Sequence, residues 1–223
     1  MKIAKTAFRF FFRLNLLELT GINARTIPEL LEHIKTIDDA CIFQHTHHFI
    51  QRHQYLSPEP PNDFSYWVSE AIGARMLGEE LASIDIMGYS NLKAIRKAII
   101  KTLEKAIKKS ARLRESTAPE GEEFNFLRSI SFVFPTEYEA KNLQEFSDSL
   151  SKVSISSIYY HLFEARLRLK KQTNDFSNWF VNALQENEIA AKVAQLDPYT
   201  QTGEGIRKHI LKLVDAKIAR DNG

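Results

Sequence analysis

The feature that most constrains this chain is that its second half repeats its first. At an offset of 116 positions, Phe10 falls on Phe126, Thr20 on Thr136, Ala24 on Ala140, Glu29 on Glu145, Ile42 on Ile158, His45 on His161 and Arg52 on Arg168. An offset of 112 lays Asn62-Asp63-Phe64-Ser65 on Asn174-Asp175-Phe176-Ser177, Trp67 on Trp179, Ala71 on Ala183 and Asp85 on Asp197. One further deletion aligns Ile95-Arg96-Lys97 with Ile206-Arg207-Lys208. Collinear matches at three successive offsets point to a duplicated folding unit. Two copies are too few for a solenoid, which generally needs three or more to bury its faces, so packing about a pseudo-twofold axis is expected. The implied boundaries are 1–107 for the first copy, 108–123 for a linker, and 124–223 for the second. The linker holds Ser, Pro, Gly and charges without apolar periodicity.

Each copy reads as a strand followed by four or five helices, a mainly α fold with a minor β component. Phe8, Phe10, Phe12, Leu14 and Leu16 alternate with Arg9, Phe11, Arg13 and Asn15, the period of a strand, and Phe124 to Phe134 is its counterpart. Whether the two strands pair is left open by the pattern. Thr20-Gly21 reads as a turn, with Gly21 free to take positive φ. Thr26 with Glu29, and Asn142 with Glu145, have capping-box spacing. Ile37 and Ile42 around Asp38, and Val153 and Ile158 around Ser154, form the same hydrophobic staple in both copies. Further helices are expected from Asn62 or Asp63 (matched by Asn174 or Asp175), over 75–83, and from Asn91 towards Arg112, the last with Ile95, Ile99, Leu103 and Ala106 inward.

Composition limits the function classes. A formal charge of +2 over 223 residues gives no global basic field, so a nucleic-acid partner is not expected, and neither is a membrane one. Arg9 and Arg13 interrupt the N-terminal phenylalanine run and no cleavage site follows, which argues against a signal peptide. No apolar run is long enough to span a bilayer. One cysteine, Cys41, excludes an internal disulfide framework and suits a reducing, cytoplasmic compartment. Glycine-rich phosphate loops, Gly-x-Ser-x-Gly elbows and Cys-x-x-Cys pairs are missing.

The residues that could carry chemistry cluster in the first copy. His45 lies in an apolar helix stripe with Asp63 available to orient its ring, the arrangement of catalytic and metal-bound histidines. A histidine that merely satisfies a buried polar group would look the same. His48 shares a helix face with His45 and could join it on a metal, but the second copy has Glu164 there. Arg96 completes the ligand-binding candidates; alternatively, Arg96 and Arg207 pair with Asp85 and Asp197. Ser57-Pro58-Glu59-Pro60-Pro61, present in the first copy alone, reads as a stiff spacer or a binding loop. Lys93, Lys97, Lys101, Lys105 and Lys109 recur every four residues, with Glu104 and Lys108 as one compensating pair. They read as a solvated face or a phosphate-tracking stripe.

Ile42-Phe43-Gln44-His45-Thr46-His47-His48-Phe49 and Pro58-Glu59-Pro60-Pro61-Asn62-Asp63-Phe64, followed by Trp67-Val68 and preceded by Leu19-Thr20-Gly21 and Ala24, resemble an uncharacterised prokaryotic domain-of-unknown-function family. The resemblance extends over most of the chain. It implies a connection with glycosyltransferase-like proteins, hence a lean towards carbohydrate metabolism, and supplies no catalytic residue. Caps, staples and aromatic cores account for most repeated residues. The expectation is therefore a non-catalytic binding or accessory module without a cofactor, acting on an unidentified protein or small molecule. The competing readings are an enzyme using the first copy's histidines, with or without a metal, and a nucleic-acid binder using the lysine stripe.

Overall fold

The structure is a computed structural model and describes residues 2–52, 62–171 and 173–222, with backbone alone for 48–52 and 222. Strand β1 (Phe8–Ala24) leads into helices α1 (Ile27–Thr36), α2 (Asp39–Arg52), α3 (Asp63–Glu70), α4 (Arg75–Ala82), α5 (Leu92–Lys109) and α6 (Ala111–Glu115). Strand β2 (Phe124–Ala140) leads into α7 (Leu143–Leu150), α8 (Ile155–Tyr159), α9 (Ala165–Leu169), α10 (Asp175–Leu184), α11 (Asn187–Ala194) and α12 (Gly203–Asn222). A π-helical segment, Tyr160–Glu164, joins α8 to α9. The fold is mainly α with minor β, as the periodicities predict.

The two strands do pair, as a two-stranded sheet. The Thr20 hydroxyl donates to the Phe126 carbonyl at 2.8 Å and the Thr136 hydroxyl to the Phe10 carbonyl at 2.9 Å, which sets an antiparallel register. Thr20-Gly21 is not a turn. The strand continues through it to Ala24, because the Thr20 hydroxyl also accepts from the Ile22 N–H at 3.1 Å and so replaces a rung of the ladder locally. Gly21 absorbs the resulting kink at φ +77°. Thr136 does the same for Tyr138 N–H, yet Glu137 between them keeps a negative φ. The threonine, not the glycine, is the shared device.

Helix starts follow the side-chain signals. Thr26 accepts from Glu29 N–H in a complete capping box, and Asn142 accepts from Glu145 N–H. Glu29 and Glu145 each reach back one residue further, to the N–H of Arg25 and Lys141, both at 2.7 Å. Asn62 and Asn174 cap α3 and α10 by accepting from Ser65 and Ser177 N–H. α5 begins at the Asn91 cap but stops at Lys109, short of Arg112, because Ser110 leaves helical geometry and caps α6 instead. Local structure fills the 108–123 segment, the expected linker. It contains α6, a bridge from Thr117 to Thr26, and the Ala118 N–H bond to the Arg25 carbonyl.

By packing, the chain falls into two compact units whose borders differ from the repeat boundaries. The described residues of one are 15–52 and 62–130; those of the other are 2–14 and 131–222. Each helical set therefore works with the later half of its own strand and the first half of the other strand. In the unit carrying α1–α6, Phe124 and Phe126 are buried with Phe64, Trp67, Ile27, Leu30 and Ile34. In the unit carrying α7–α12, Phe8 and Phe10 are buried with Phe146, Phe176, Trp179 and Phe180. Each such ring contributes about 1.5–3 kcal/mol through burial. The tryptophans keep their polar ends satisfied. Trp67 Nε1 donates to the Glu122 carbonyl at 2.7 Å and Trp179 Nε1 to the Thr6 carbonyl at 3.1 Å. Among the described residues, no helix is long and apolar enough to cross a membrane.

Candidate functional site

His45 projects from α2 into an aromatic box, 4.7 Å from the Phe124 ring centroid and 5.5 Å from that of Phe64. Its Nε2 accepts from the Leu127 N–H at 2.9 Å, and its Nδ1 lies 2.8 Å from Asp63 Oδ2. A backbone N–H can only donate, so Nε2 carries a lone pair. The ring proton sits on Nδ1 and is donated to Asp63. His161 repeats this arrangement, accepting from Phe11 N–H at 2.8 Å and donating to Asp175 Oδ2 at 2.7 Å. Asp63 and Asp175 each occupy the first residue of their helix, where free N–H groups favour negative charge.

Both ring nitrogens of both histidines are thus spent on the protein. A base or metal ligand needs a free lone pair, and neither imidazole offers one without breaking a strand hydrogen bond. What the histidines do is pin a strand N–H to a helix and fix the helix to the next one through the aspartate. Burial pushes His161 below the ordinary histidine range, against the pull of Asp175 and with some help from the Arg168 charge. Burial works to raise Asp175, but the hydrogen bonds from His161 and Arg168 hold its carboxyl below the usual range.

Of the first-copy candidates, the structure joins His45 and Asp63 alone. The His48 side chain and the Ser57–Pro61 segment lie outside what is described. Arg96 is used elsewhere. It donates to the Ile34 and Ile37 carbonyls and to Asp39, tying the end of α1 to the start of α2. It does not engage Asp85, and Arg207 pairs with Glu204 and not with Asp197. Asp85 and Asp197 instead accept from Met87 and Tyr199 N–H in their turns. Glu104 faces Lys35 at 3.9 Å, not Lys108. Cys41 is buried in α2, and burial pushes its thiol up to about 11, which removes it as a nucleophile at neutral pH. Among the described residues, no three or more His, Cys, Asp or Glu side chains are grouped to hold a metal.

A groove of about 1180 Å³ opens in the unit carrying α7–α12, beside His161. Its walls are the N-terminal segment (Lys2, Lys5, Arg9, Phe11), the π segment (Tyr160) and α10 (Asp175, Asn178, Asn182), with Arg168 and Gln185 at the ends of α9 and α10. Arg168 reaches Asp175 at 2.6 Å and lies over the Tyr160 ring at 4.7 Å. Behind it, Glu164 is buried in the π segment 2.9 Å from Arg13, and burial raises its carboxyl against the pull of Arg13 and Arg168.

Residues 5–215 match the model of a family of unknown function, DUF5752. The chain belongs to that family. The DUF5752 chain is also similar to the solved structure of OrfY from Thermoproteus tenax, at 26% identity with a TM-score of 0.81, covering 96% of this chain and 97% of that one. No curated protein matches it.

Sequence reasoning missed the groove residues. Lys2 and Lys5 drew no role, Arg9 counted against a signal peptide and in the strand alternation, and Arg168 only as a match for Arg52. The available signal was Arg168 itself, a cation seven residues before the aspartate that opens a helix.

Proposed function

We propose that this chain is an internally duplicated, non-catalytic binding or accessory module of the cytoplasm, and that the groove beside His161 takes a hydroxyl-rich small molecule of the carbohydrate type. One observation carries this reading: hydrogen-bonding groups and aromatic rings line a cavity of ligand size, while the imidazole next to them has no nitrogen left for chemistry. Asn178, Asn182, Gln185 and Asp175 offer donors and acceptors for hydroxyls, and Phe11 and Tyr160 offer apolar faces for ring C–H groups. Most groove cations already have carboxylates: Lys2 faces Glu186 at 3.0 Å, Arg9 faces Glu139 at 2.9 Å and Arg168 faces Asp175. Balanced pairs of this kind suit polar neutral ligands better than bare anions, with Lys5, unpaired among the described residues, available to a single acidic substituent. The matched bonds of His45 and His161 support the duplication, and a lone buried thiol supports the reducing compartment.

Calorimetric titration of the whole protein with glucose, maltose and glucose 6-phosphate tests the proposal. Saturable binding that weakens about tenfold or more in Asn182→Ala or Arg168→Gln is expected. Inorganic phosphate binding as well as the sugars would overturn the hydroxyl-rich assignment. Conversion of a bound sugar to product, abolished in His161→Gln, would overturn the non-catalytic one.

A further inference from the structure

Residues 93–114, which form most of α5 and all but the last residue of α6, hold nine lysines and arginines and one carboxylate, a formal +8. The whole chain carries +2, so everything else sums to −6. The near-neutral total conceals a polar division of charge. We propose that this face docks a nucleic-acid duplex through its phosphate backbone, independently of the groove.

The side chains are placed for it. Ile95, Ile99 and Leu103 turn inward and are buried, which leaves Lys93, Lys97, Lys101, Lys105 and Lys109 exposed, with Lys108 and Arg112 beside the last of them. Steps of four residues put neighbouring cations about 5–6 Å apart along a helix ridge. Six of these groups (Lys93, Lys97, Lys101, Lys108, Lys109 and Arg112) have no carboxylate within 4.0 Å among the described residues, whereas Lys105 faces Glu80 at 3.4 Å. Uncompensated like charges this close repel one another. A polyanion relieves that repulsion and releases its own counterions on contact. The corresponding helix α12 keeps cations at Lys208, Lys212 and Arg220 but places Glu204 where α5 has Lys93 and Ala216 where it has Lys105, so the unbroken ridge belongs to α5.

Two features select the kind of polyanion. Leu92–Glu115 contains no aromatic residue, so there is nothing for unstacked bases to lie on, and a duplex with its denser charge is preferred to a single strand. The apolar side of α5 is buried, so the helix has no face to insert into a bilayer.

Fluorescence anisotropy of the full chain with a labelled duplex of arbitrary sequence, over about 50–200 mM salt, tests this. Six phosphate contacts give a slope of log affinity against log salt of about −5, and the triple variant Lys93→Gln, Lys97→Gln, Lys101→Gln lowers its magnitude by about 3. These lysines are exposed, so the variant keeps its fold by circular dichroism. Lys170→Gln with Lys171→Gln, in the other unit, leaves the slope unchanged. No binding at the lowest salt, an unchanged slope in the triple variant, tighter binding of a single strand, or preference for phosphatidylserine vesicles would each overturn the proposal.

Discussion

His45 and His161 make the same two bonds in different company. Asp63 has 42% of its side chain in water and His45 as its hydrogen-bond partner, whereas Asp175 is 16% exposed and also holds Arg168. The pin between strand and helix is common to both regions. Beside the second, the described residues add the Arg168 guanidinium, the Tyr160 ring and an open groove. The same local chemistry therefore pins a strand in both regions and, in the second, also borders a groove. The difference comes from what surrounds the pair, since the histidine itself is equally spent in both.

That comparison breaks most readily at the aspartates. Asp175→Ala removes partners from both His161 and Arg168 and is expected to cost about 2–4 kcal/mol; Asp63→Ala removes one bond at a wetter site and should cost about 1–3 kcal/mol. Urea unfolding of the two variants measures it, and equal losses would mean that Arg168 adds nothing. Acid sharpens the contrast next. Burial places His161 below its unfolded value of 6.5, so above pH 6.5 both states are neutral and nothing is lost. Below that pH the unfolded chain takes up a proton that the fold refuses, and stability falls. Asp175, held below 3.8 when folded, adds a second loss as pH drops past 3.8. Denaturation midpoints should fall from about pH 7 to about pH 5, and His161→Phe should flatten that decline. The smallest effect separates the strand kinks. Gly21→Ala forces a side chain into positive φ at a cost of about 1 kcal/mol, while Glu137→Ala should be neutral within about 0.5 kcal/mol.

Much of this was legible in the sequence for a physical reason. Caps at Thr26, Asn62, Asn142 and Asn174 act within four residues, so their signals stay local. The partner of His45, by contrast, is an amide 82 residues away, and that of His161 is 150 residues away. No periodicity encodes such a bond, which is why a free imidazole and a fully engaged one read alike. Arg96 misled for the same reason, because the carbonyls it serves are 59 and 62 residues distant. The strand overran its expected end because a hydroxyl can stand in for a ladder bond, and Thr20-Gly21 carries the composition of a turn whether or not the chain reverses there.

The division of the strands between the compact units bears on how this protein can be handled. Removing residues 1–107 takes Phe8 and Phe10 away from Phe146 and Phe176, and removing 124–223 takes Phe124 and Phe126 away from Phe64. Cutting between 107 and 124 thus strips each aromatic cluster of strand rings that complete it, and each fragment by itself is expected to lose its cooperative unfolding transition, which urea titration followed by circular dichroism would measure.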